Sequence, residues 1–293
     1  MFKIILFLFS FVLFGMTIFA QENYKVYDAE GNASDLNKIL EAVKNTDVVF
    51  LGEQHNDAVA HALQLQIFKE AVEKYGNERK IILSLEMFER DVQIVLDEYL
   101  KNLISEQHFL RSSRPWDNYK TDYRPLVELA KEKNLQVIAA NAPRRYVNMV
   151  SRMGRESLGK LSPEALKWLA PLPFEKASQA YADKFNALMG GSQHEGAAKI
   201  LESQSLWDAT MAYSLAGSLK QNKKTLVINL NGSFHTENRL GTVEHLLKYN
   251  RKARVLVVTM RYEDDFKFFD KTKHGKLGDF VILTDAKVPR SFK

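Results

Sequence analysis

Asp47-Val48-Val49-Phe50-Leu51 runs directly into Gly52-Glu53-Gln54-His55, and the next stretch, residues 58–75, spaces Val59, Leu63, Ile67, Ala71 and Val72 at helical intervals. A short, continuous apolar run suits a parallel strand buried on both faces. A helical apolar period directly after it makes a βα unit. The pattern recurs. Residues 80–85 (KIILSL) stop at Glu86-Met87-Phe88-Glu89, and residues 135–140 (LQVIAA) stop at Asn141-Ala142-Pro143-Arg144-Arg145. Residues 225–230 (TLVINL) stop at Asn231-Gly232-Ser233-Phe234-His235, and a further strand is expected over 254–259. Helices are expected over 91–101, 123–133 and 239–249. The fold class is therefore α/β, an open and mainly parallel sheet flanked by helices.

Residues 144–224 carry no strand pattern. They hold Pro163, Pro171, Pro173 and the pair Gly190-Gly191, and end in a long helical stretch from Ala197 to Leu219. This predicts a helical insertion between the third and fourth of these strands. Residues 279–284 (DFVILT) are expected as a last strand, antiparallel at an edge. Residues 21–46 are polar, with a short helix expected from Ser34 to Val43 and Ser34 as its N-cap.

The first residues differ from the rest. Lys3 precedes an uncharged run, residues 4–20 (IILFLFSFVLFGMTIFA). A basic residue, an apolar run and a small residue at its end resemble a secretory signal peptide, with cleavage after Ala20. Retention as an anchor is the alternative, since the run nears the length of a membrane span. The expectation is a signal peptide over 1–20, a single domain over 21–293, and export to the periplasm or cell envelope. With no cysteine in 293 residues, disulfides, thiolate metal sites, cysteine nucleophiles and a lipoprotein anchor are excluded. The net charge is +5, with no dense basic run, so nucleic acid is not expected as a partner.

The strand-end clusters hold most of the catalytic-grade side chains. Parallel strands place their carboxyl ends along one sheet edge, where sites of such folds form. Glu53 and His55, two apart after a glycine, suit either one metal ion or acid/base work; Glu53 capping the next helix is the plain alternative. Asp57 fits ordinary helix capping. Glu86, after a largely apolar strand, needs a partner, either a salt bridge to Arg144 or Arg145 or a role as a site acid. His235 is the distant partner that His55 would need. Arg144 and Arg145 open a helix and suit a carboxylate or phosphate. His61 can face either way, His108 and His245 are expected on helix surfaces, and His274 is expected to be solvated. His194 lies in a Gly-rich loop able to reach a ligand from above. Together these residues suit a divalent-metal hydrolase, a metal-free His/Glu hydrolase, or a receptor for an anionic cofactor.

The ordered set GEQH (52–55), LEMF (85–88), AANAPRR (139–145), QSLWDATMA (204–212) and NGSFH (231–235) resembles the ChaN-like haem-binding proteins of the haem-uptake/Tiki superfamily, over roughly residues 45–260. The resemblance implies an α/β fold with a helical insertion and a role in haem or iron acquisition at the cell envelope. It implies haem as the ligand, held between two subunits with tyrosine and histidine near iron, and a homodimer working with an envelope haem-transport system. Relatives in the wider superfamily, Tiki metalloproteases and erythromycin esterases, imply the alternative of a hydrolase acting on a peptide, ester or lactone. Carried over by motif, Glu53, His55, Glu86, Asn141, Arg144 and His235 line the pocket, and Gln204, Asp208 and Met211 match the long helix. The motifs do not assign the haem ligand; by location in the insertion, Tyr181 and His194 are the candidates, with Arg144 and Arg145 for the propionates. Trp168, Phe174, Tyr181 and Phe185 offer apolar area either for a porphyrin or for the insertion's own core. The chain departs from the pattern after NGSFH, where TENRLGTVEHL lacks the expected Gly-Val-Pro.

Overall fold

The computed structural model describes residues 23–190 and 196–292. Strands β1 (Tyr24–Asp28) and β2 (Ala33–Ser34) precede helix α1 (Leu36–Val43). Strand β3 (Val48–Glu53) leads into α2 (Ala58–Tyr75). Strand β4 (Lys80–Glu89) is followed by α3 (Gln93–Leu100), α4 (Glu106–Ser113) and α5 (Arg124–Glu132). Strand β5 (Gln136–Asn141) opens into the insertion, with α6 (Arg144–Met153), α7 (Pro163–Leu166), α8 (Gln179–Leu188) and the 25-residue α9 (Ala197–Gln221). Strand β6 (Thr225–Gly232), α10 (Thr242–Tyr249), β7 (Val255–Glu263), α11 (Lys271–His274) and β8 (Phe280–Asp285) complete the order.

The eight strands form one sheet in the order β2-β1-β8-β7-β3-β6-β4-β5. The chain leaves β3 toward β4 and β5, returns through the insertion to β6, and then crosses β3 to reach β7 and β8. Strands β3 and β6 therefore lie at the centre, paired in parallel from Val48↔Val227 to Glu53↔Gly232. That pairing brings the first and fourth strand-end clusters side by side, although they are far apart in sequence.

Alternation of side chains across the pleat explains the layers. Val49, Leu51, Leu83, Ile228 and Val258 face one core with α1 to α5, while Val48, Phe50, Ile82, Val227 and Val257 face the opposite core under α9 and α10. Both faces are covered, so every residue of β3 is buried. A third apolar cluster, including Val147, Val150, Leu158, Phe174 and Leu206, seats the insertion against α9.

Three local expectations are corrected. Strand β8 pairs in parallel with β7, and the antiparallel edge is built by β1 and β2, with β1 against β8. Residues 24–28 form a strand because pairing with β8 satisfies their backbone groups while Val26 and Tyr27 are buried in apolar clusters on the sheet. Asp35, not Ser34, caps α1, accepting from Lys38 N. Asp57 does cap α2, accepting from Val59 N and Ala60 N, so Glu53 is released from that role.

Candidate active site and ligand cleft

The carboxyl ends of β3, β4 and β6 floor a cleft of about 430 Å³, lined by Glu53, His55, Glu86, Asn141, Arg144 and His235 among others. All six side chains that the motifs placed there are present. Trp116, Leu188, Trp207 and Phe234 add apolar wall, and Gln204 reaches it from α9.

Glu53 is fully buried and held from three sides. Its Oε1 accepts from Tyr123 OH at 2.5 Å and lies 3.0 Å from His55 Nδ1, and its Oε2 accepts from Gln64 Nε2 at 2.6 Å. Burial pushes this carboxyl up. The His55 hydrogen bond, the His61 and His55 fields and Tyr123 outweigh it and hold the group below the ordinary value. Beneath it, buried His61 sits 3.4 Å from Glu53 and 3.3 Å from Asp122. Asp122 lies in a π-helical turn, Tyr119–Tyr123, a distortion that often marks functional sites. Here that turn delivers Tyr123 and Asp122 to one side of the floor.

On the other side, His235 Nδ1 lies 2.8 Å from Asp208 Oδ1, which also accepts from Thr242 Oγ1 at 2.7 Å. His235 Nε2 faces Glu86 Oε1 at 3.6 Å. Burial would depress His235, but the Asp208 and Glu86 charges prevail and raise it to about 9. It is an imidazolium at neutral pH. The second oxygen of Glu86 accepts from Gly232 N at 2.7 Å. This contact exists because β4 shifts register against β5 between Leu85 and Glu89, freeing Glu86 from the regular pleat.

Gly232 separates the two halves. A Cβ there would stand 2.7 Å from His55 Nε2 and 2.8 Å from its Cε1, so only glycine lets the imidazole lie over the strand end. Burial lowers His55, and Glu53 and Glu86 outweigh that and raise it despite the opposing charge of His235. The cleft thus carries two carboxylate-held imidazoles: His55, 43% side-chain exposed, and His235, 8% exposed.

A family model described as "Haem-binding uptake, Tiki superfamily, ChaN" matches residues 39–246. The chain belongs to this family. Among solved structures, it resembles one titled "Cofacial heme binding to ChaN of Campylobacter jejuni", with a TM-score of 0.70, 20% identity, and coverage of 90% of this chain and 98% of that one. The two share the α/β fold. A mutant of the erythromycin esterase EreC in its open conformation aligns at a TM-score of 0.49 and 12% identity, over 82% of this chain and 77% of that one. The type III effector HopBA1 aligns at 0.47 and 11%, over 85% and 93%. No curated protein matches the chain significantly.

Against the expectations of a ChaN-like chain, several side chains fall elsewhere. Arg144 lines the cleft, but Arg145 turns outward to pair with Asp91 and Tyr146. Tyr181 is 1% exposed and packs on Phe234 and beside Gly241, so it presents no face to a ligand. Phe174 and Phe185 are buried as well and Trp168 is half-buried, so most of this aromatic area serves the insertion's own core. His194 lies outside the described residues. His245 and His274 are buried, not solvated: α10 packs on α9, and His274 faces Glu263 at 3.2 Å. Glu86 forms no salt bridge with Arg144 or Arg145; its partners are Gly232 and His235. Among the described residues, no group of three or more acidic or imidazole side chains is arranged to hold a metal ion. The Glu53 oxygens are already committed to Tyr123, His55 and Gln64.

Sequence reasoning placed Asp208 on the long helix without a role, and missed Tyr123, Gln64, Asp122 and Thr242 as partners. The buried face of α9 also carries Ser205, Thr210 and Ser214, so no local pattern singled out Asp208. The others come from elements whose docking no local pattern reports.

Proposed function

We propose that this chain binds haem for haem or iron uptake, exported through its N-terminal segment to the periplasm or cell envelope. Family membership supports haem as the ligand. Arg144 is the observation that carries it here. It is exposed at the cleft mouth beside Trp116, 5.9 Å from the ring, and has no carboxylate partner among the described residues. A free guanidinium at a helix start suits a propionate.

The side chains present fit the porphyrin as well. Of nine large apolar side chains exposed among the described residues, five (Met153, Leu172, Leu188, Met189 and Ile200) lie on the insertion. Of these, Leu188 lines the cleft with Trp116 and Trp207, an apolar wall that suits a flat ligand. Haem iron accepts histidine or tyrosine. His55 is the exposed imidazole of the cleft, with Nδ1 oriented by Glu53, and His194 is the other candidate donor. Since the Campylobacter jejuni relative is titled for cofacial haem binding, a homodimer around paired haems is the proposed assembly, served by an envelope haem-transport system. Haemin titration of the purified domain tests this: a saturable Soret shift, weakened in Arg144→Gln, is expected. No shift at micromolar haemin would overturn it.

A specific observation also favours metal-free hydrolysis of an ester, lactone or peptide. Two imidazoles held by separate carboxylates line the same cleft, and their environments differ. His235, charged at neutral pH, would stabilise a developing oxyanion. His55, the more exposed, would take a proton from water. Turnover of a chromogenic ester abolished by His55→Ala and by Glu53→Gln supports this assignment; the absence of turnover across ester, lactone and peptide panels removes it.

A further inference from the structure

Helix α8 brings Leu188 to the cleft, yet it is tied to the rest of the molecule at few points. Residues 167–178, which lead into it, carry no helix or strand. Tyr181 and Phe185 are its buried side chains, and neither joins the apolar clusters that hold α9 and the sheet. Among the described residues, the hydrogen bonds and ion pairs that leave α8 and its N-cap Ser178 all end on residues 234–244. Ser178 Oγ donates to Glu244 Oε2 at 3.2 Å. Lys184 Nζ donates to Phe234 O at 2.5 Å and lies 3.9 Å from Glu237.

Lys184 is the more enclosed of these ties, its side chain 15% exposed. The ammonium sits over the rings of Phe234 at 4.3 Å and Tyr181 at 4.9 Å, one from each side of the seam. Glu237 is engaged by Arg261, so the close partner of the ammonium is a neutral carbonyl. Burying a cation in this way is costly, and burial pulls the amine below its usual range although Glu237 opposes it. An apolar side chain of that length would pack between the rings without the cost, but it could not grip the carbonyl. That carbonyl belongs to the residue before His235, and both Phe234 and His235 line the cleft.

We propose that Lys184 is a positioning residue: by gripping the Phe234 carbonyl it holds α8, and Leu188 with it, against the strand-end loop that carries His235. Its bearing on ligand binding rests on the reading that the cleft between them receives haem.

Hydrogen exchange and haemin titration of the purified protein and two variants test this. Lys184→Met keeps the stem and removes the donor, while Lys184→Arg keeps a charged donor. In Lys184→Met the α8 amides should exchange about tenfold faster or more, the scale of one hydrogen bond to a charged group. The strands and α9 should keep their rates. Haemin should bind Lys184→Met more weakly with the Soret position unchanged, since no iron donor is altered. Lys184→Arg should lie closer to the parent in both measurements. The inference is overturned if α8 exchanges at the parent rate in Lys184→Met, if every element speeds up together, or if haemin binds that variant as tightly as the parent. A parent protein that binds no haemin would remove the haem reading, and selective exchange in α8 would then decide the Lys184 assignment by itself.

Discussion

His235 and Asp208 form a fully buried ion pair, Nδ1 to Oδ1 at 2.8 Å, joining the end of β6 to the middle of α9. The pair fixes the floor of the cleft to the insertion's longest helix, and it holds His235 as a cation against Glu86. The other oxygen of Asp208 and the Tyr181 hydroxyl have no hydrogen-bond partner among the described residues. The Asp208 charge nevertheless helps burial raise the Tyr181 phenol well above its usual range. Asp208 is thus the acceptor around which this side of the site is organised.

A pH dependence follows from the pair. His235 is raised from 6.5 to about 9, so its contribution to stability is full below pH 6.5 and is lost as pH climbs through about 9. Asp208 is held below its ordinary 3.8, so its contribution is present above that value and is lost on further acidification. Asp208→Asn should destabilise the fold by roughly 3 kcal/mol, as removal of one partner from a buried pair does. It should also flatten the stability profile between neutral pH and pH 9. Thermal denaturation across that range measures both.

Gly232→Ala should disturb the site more than the fold. The added methyl meets the far end of the His55 side chain, which is exposed enough to swing away. A cost near 1 kcal/mol is expected, at the low end for overpacking. The ring would leave Glu53, and its titration would fall back toward that of an ordinary histidine. Histidine NMR titration reads this directly; an unchanged His55 would contradict the geometry.

Haemin binding should survive Tyr181→Phe, because the hydroxyl is buried and faces no cavity. The Soret maximum and midpoint should match those of the parent protein. His55→Ala should shift the Soret band if His55 donates to iron, and His194→Ala should do so if His194 is the donor. Loss of the Soret shift in Tyr181→Phe would mean that the insertion opens to receive haem.

Export predicts a mature chain that begins at or near Gln21. Intact-mass and N-terminal analysis of protein from the envelope fraction checks it. A chain retaining Met1 in membranes would instead indicate an anchor.

The amino-acid sequence by itself determined the α/β class, the helical insertion and the placing of Glu53, His55, Glu86 and His235 at strand ends. These follow from local periodicity: apolar runs such as 48–51 and 226–230 can be satisfied only inside a sheet covered on both faces, and a parallel sheet lines up its carboxyl ends. Tertiary structure alone decided which strands are neighbours, and so which side chains meet. Strand β6 inserts between β3 and β4, which sets Gly232 against His55 and Glu86. The same docking turns Asp208 toward His235, buries Tyr181, sends Arg144 into the cleft and Arg145 out to Asp91. Adjacent residues at a helix start look alike in sequence, and only the packing around them, with the partners and desolvation it brings, separates their roles.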